Sequence, residues 1–129
     1  MSAPKAIDFD AIAQHLVAAL DQYEQDLAAM IAHWPDLERY RAASEQVEKI
    51  RIYSSALPQA RVQWVELLIA HAELVHFLWR VQYGNEHAAE ADMARVREHH
   101  AACAAALRNR CLRIAARPPS PHSHQQARE

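Results

Sequence analysis

Hydrophobic residues recur along this chain with a helical period, and the clearest run comes first. Phe9, Leu16, Tyr23 and Met30 are spaced seven apart, with Ala13, Leu20, Leu27 and Trp34 interleaved four residues after each. That is a heptad stripe, and it predicts a helix from Asp8 or Asp10, either able to cap free N–H groups, to about His33. Asp26 and His33 fall on the adjoining stripe, at the edge of the core.

The next segment is more polar. Leu37, Tyr40, Val47 and Ile50 alternate with Glu38, Arg39, Arg41, Glu45, Glu48, Lys49 and Arg51, the pattern of a surface helix with a solvated charge run. Pro35 is expected in its first turn, and Pro58 in the first turn of the helix that follows. Pro58 is read as separating two helices rather than kinking one, because the residue before a proline disfavours helical dihedrals. The third helix runs to Tyr83, and Gly84 is expected to end it in a left-handed cap, with Asn85 capping a fourth. That fourth helix carries a stripe of Met93, Val96, His100, Cys103, Leu107, Cys111 and Ile114 and reaches about Arg117, where Pro118-Pro119-Ser120-Pro121 stops it.

These elements predict an all-α fold, an antiparallel up-down four-helix bundle over residues 8–117. A short extension (1–7) precedes it and a polar, disordered tail (118–129) follows. Composition agrees, since one glycine and 27 alanines in 129 residues suit helices and few tight turns.

The third helix departs from the usual half-polar pattern. From Val62 to Val81, fourteen of twenty residues are apolar, and Glu66, Glu73 and Arg80 form one narrow polar strip in heptad register. Trp64, Leu67, Leu74, Leu78 and Trp79 are too many to face one bundle core, so they are expected to anchor a subunit interface, most simply that of a two-fold homodimer, or to receive a protein partner.

The formal charge of −2 provides no basic surface for nucleic acid. The apolar runs are too short and too often interrupted to span a bilayer, and the N-terminus lacks a secretory apolar region. Cys103 and Cys111 lie eight residues apart on one helix, about 12 Å, too far for a disulfide. Free thiols and a cytoplasmic location are expected.

Candidate chemistry is sparse. Of nine histidines, His71 and His100 fall on buried stripes, thirteen and sixteen residues from the turn at Gly84, and can face one another across antiparallel helices. They are expected to form a buried hydrogen-bonded pair. The alternative is a metal or small-ligand site, with Glu48 or Cys103 at neighbouring depth. Glu73-x-x-His76 has the spacing of one half of a di-iron carboxylate motif, without a second copy elsewhere, and is read as a helix-surface pair. No resident cofactor is expected.

The Arg95-x-x-x-x-His100 spacing resembles the motif of HEPN-type ribonucleases. The resemblance implies a helical dimer whose Arg and His meet at the interface to cleave RNA, although Val96 replaces the polar residue that commonly follows the arginine. There is no glycine-rich phosphate loop, no Gly-x-Ser-x-Gly elbow and no paired Cys-x-x-Cys. The leading expectation is therefore a non-enzymatic interaction or assembly protein, with ligand binding and RNA cleavage as alternatives.

Overall fold

A computed structural model of the chain describes residues 8–84 and 90–116. All regular structure among them is helical: α1 (Phe9–Ala32), α2 (Leu37–Ser55), a 3₁₀ turn (Pro58–Ala60), α3 (Arg61–Tyr83) and α4 (Glu90–Ala116). The N-terminal extension, the Asn85 cap and the tail lie outside the described residues.

Local chemistry sets several of the boundaries. The Asp8 carboxylate accepts from the Ala11 N–H at 3.0 Å and caps α1. Asp36 caps α2, one oxygen accepting from the N–H groups of Glu38 and Arg39. Pro35 therefore precedes the cap instead of opening the helix, because Asp36, in extended backbone, is the residue able to satisfy those donors. Pro58 separates two helices. α2 ends at Ser55, and the 3₁₀ turn follows, closed by the Ala60 N–H donating to the Leu57 carbonyl at 3.0 Å.

Gly84 corrects an expectation. Its φ of −94° and ψ of 165° are extended rather than left-handed. What favours glycine here is proximity: its N–H donates to the Arg80 carbonyl at 2.8 Å, and a Cβ would lie 2.5 Å from that oxygen.

The helices pack unevenly. α1 lies along both α2 and α4, α3 lies along α4, and α2 meets α3 only slightly. The α1 stripe is the centre of the core. Ala13, Leu16, Leu20, Tyr23 and Met30 are wholly buried, joined by Ile50 of α2, Leu67 and Leu74 of α3, and Leu107 and Cys111 of α4. Arg108 of α4 clamps the carboxylates of Asp21, at 2.7 Å, and Glu24 on α1. Arg110 donates to the Gln59 carbonyl at 2.8 Å and ties the end of α4 to the 3₁₀ turn. The ion pairs along α2, Glu38–Arg41 and Glu48–Arg51, are largely exposed and contribute little. Among the described residues, no helix is long and apolar enough to cross a membrane.

Candidate functional site

Three helices bring their polar core residues to one point. The α1 heptad carries Tyr23 into the centre, the inward face of α3 presents His71, and that of α4 presents His100. The Tyr23 hydroxyl lies 2.7 Å from His71 Nδ1 and 2.7 Å from His100 Nε2. A phenol has one proton, so it donates to one imidazole and accepts an N–H from the other. Two neutral tautomer arrangements satisfy all three groups, and they differ only in the direction of the hydrogen bonds.

Burial holds the triad neutral. Desolvation, and then the Glu24 carboxylate, raises the Tyr23 phenol well above its ordinary range. Desolvation also lowers His71, and it brings His100 down to about 4, assisted by the repulsion a protonated His100 would meet from a protonated His71 or His99 and from Arg97. A small groove of 120 Å³ between α1 and α4 reaches this point, lined by Glu24, Leu27, Ile31, Arg97 and His100 among others.

The two expected histidines thus come together, but through a tyrosine that occupies one nitrogen of each. Among the described residues, no group of three or more His, Cys, Asp or Glu could hold a metal ion. Glu48 is exposed and paired with Arg51. Cys103 lies 3.8 Å from His99 Nε2 rather than with the pair. Tyr23 is the member that sequence reasoning placed only in the core. Its signal was a polar tip at a heptad position facing two histidine-bearing stripes.

Neither thiol is activated. Burial and the fields of Glu66 and Glu73 raise Cys103. Burial raises Cys111 to about 11, against the opposing effect of Arg108. Both stay protonated near neutrality and are poor nucleophiles. The Arg95 and His100 of the ribonuclease-like spacing diverge. The Arg95 side chain is 73% exposed and donates to Asp92 at 2.6 Å, whereas His100 is buried against Tyr23. Glu73 and His76 line an open groove between α3 and α4 with Arg80, Asp92 and Arg95.

Among the expected interface residues of α3, the three leucines require a correction. Leu67, Leu74 and Leu78 are buried within the subunit's own core, and Trp64 packs half-buried against it. Trp79 lies edge-on to Trp34, with ring centroids 4.6 Å apart, and stacks on Tyr83 at 5.1 Å. The three leucines follow one helical stripe, which is the inward one. The outward side of α3 is still apolar, but through other residues: Val62, Val65, Leu68 and Ile69 are 64%, 40%, 40% and 54% exposed.

No protein-family model, no curated protein and no solved structure matches the chain.

Proposed function

We propose that the chain is an antiparallel, up-down four-helix bundle of the cytoplasm that works by association, pairing with a second copy through the outward face of α3. The observation that carries this reading is the cluster of Val62, Val65, Leu68 and Ile69, four large apolar side chains exposed within eight residues. A contiguous apolar surface of this kind is uncommon on a solitary soluble domain. Short connections, residues 33–36 and 56–60, support antiparallel neighbours. Two free, protonated thiols suit a reducing compartment.

A second copy is the simplest occupant because the patch is self-complementary. A two-fold axis passing near Val65 sets Val62 of one copy against Ile69 of the other, and symmetry repeats the contact. Covering these half-exposed side chains contributes about 1 kcal/mol each.

Size-exclusion chromatography with light scattering separates association from folding. Ile69→Asp places a charge on the outward patch and is expected to give a folded monomer from a wild-type dimer. Leu74→Ala, at a buried position, is expected to lower the melting temperature and leave the subunit number unchanged. An Ile69→Asp variant with the wild-type mass would remove the proposal.

A second reading, small-ligand binding at the histidine pair, is supported by the α1–α4 groove that reaches His100 between Glu24 and Arg97. Under it, a ligand displaces the Tyr23 hydroxyl from one imidazole. Chemical-shift changes at His71 and His100 on adding a small carboxylate would support that reading, and their absence would count against it.

A further inference from the structure

Away from the triad and the α3 patch, the α1–α2 connection and the last turns of α3 enclose a cavity of 260 Å³. Its walls include Trp34, Tyr40, Trp79 and Tyr83, with Leu37 and Asp36 completing the lining beside Pro35. The rings brace one another. Trp34 lies edge-on to Tyr40 at 6.4 Å and to Trp79 at 4.6 Å, and Trp79 stacks on Tyr83. The cavity is open to solvent at Leu37 and Tyr83, which are 63% and 67% exposed.

The composition of this lining points to one ligand chemistry. Aromatic faces carry negative potential and attract cations, most strongly from tryptophan. Among the described residues the lining holds two tryptophans, two tyrosines and Asp36, and no lysine, arginine or histidine. Arg39 meets Asp36 at 3.6 Å but is not among the lining residues. Apolar walls disfavour a strongly hydrated ion such as sodium. The volume falls just below the range of about 300–1,000 Å³ that holds drug-sized ligands, so it suits a compact headgroup.

We propose that this aromatic cavity is a binding site for an alkylated ammonium headgroup, a cation wrapped in methyl or methylene groups, with Asp36 as its counter-charge. The site is independent of the association surface. Trp79 lies ten residues beyond Ile69 on α3, about 15 Å along the axis.

The test compares choline with its neutral isostere, 3,3-dimethylbutan-1-ol, titrated into the full chain and followed by the indole N–H signals of its three tryptophans. Choline is expected to shift Trp34 and Trp79 saturably and to leave Trp64 unmoved. It is expected to bind about tenfold more tightly than the isostere. Asp36→Asn removes the charge yet keeps a competent helix cap. It is expected to weaken choline several-fold without changing the isostere, and Trp79→Leu to weaken both. Equal affinity for the two probes, no saturable shift of Trp34 and Trp79, or choline binding untouched in Asp36→Asn would each overturn the proposal.

Discussion

The Tyr23 hydroxyl is the single atom on which the polar core depends. It serves two imidazoles at once, so its removal strands two ring nitrogens, one buried and one half-buried, rather than one. Tyr23→Phe is therefore expected to destabilise the fold by about 2–4 kcal/mol, read from urea unfolding, well beyond the loss of one ordinary hydrogen bond. The same site gives stability a pH dependence. His100 titrates near 4 in the folded chain against an ordinary value of 6.5. Its folded value is depressed, so the unfolded state binds more protons between those limits. The contribution is fully present above pH 6.5 and is lost as pH falls toward 4. His100 alone costs about 2 kcal/mol of stability by pH 5, and the lowered His71 acts in the same direction. Unfolding midpoints measured from pH 7.5 to 4.5 check this. In His100→Gln that part of the slope is expected to disappear, leaving the smaller share from His71.

Element boundaries were legible wherever a residue has one dominant chemical use. Asp8 caps α1, and the proline pair at 35 and 58 marks the two connections, because the missing N–H and fixed φ act locally. The α1 stripe was equally plain, since seven-residue spacing maps directly onto buried Leu16, Tyr23 and Met30. α3 was not. A helix apolar on nearly every side gives periodicity no contrast, so its inward leucines could not be told from its outward valines and isoleucine until the neighbours were in place. The histidine pair was foreseeable from its depth, whereas Tyr23 between them was hidden, because a tyrosine on a heptad stripe reads first as an apolar filler. Sequence suggests positive φ at Gly84, yet the constraint is a backbone oxygen 2.5 Å from where a Cβ would sit. Gly84→Ala is accordingly expected to cost about 1 kcal/mol by displacing the last turn of α3. Faster hydrogen exchange there, confined to the residues before 84, would check it, and unchanged protection would refute the steric account.

At the scale of the whole molecule, the packing is lopsided, and that asymmetry motivates association. α1 and α4 are covered on more than one side, while α3 leans on α4 and barely meets α2. Its outward side keeps Val62, Val65, Leu68 and Ile69 in contact with water. The subunit has a complete core without them, so a partner would add to the fold rather than complete it. Folding and pairing should consequently separate in experiment. Sedimentation equilibrium of the unmodified full chain tests the proposed pairing most directly. At tens of micromolar the account predicts a mass approaching twice the 14.7 kDa of one chain, falling toward the single-chain value on dilution. A single-chain mass throughout that range would contradict it.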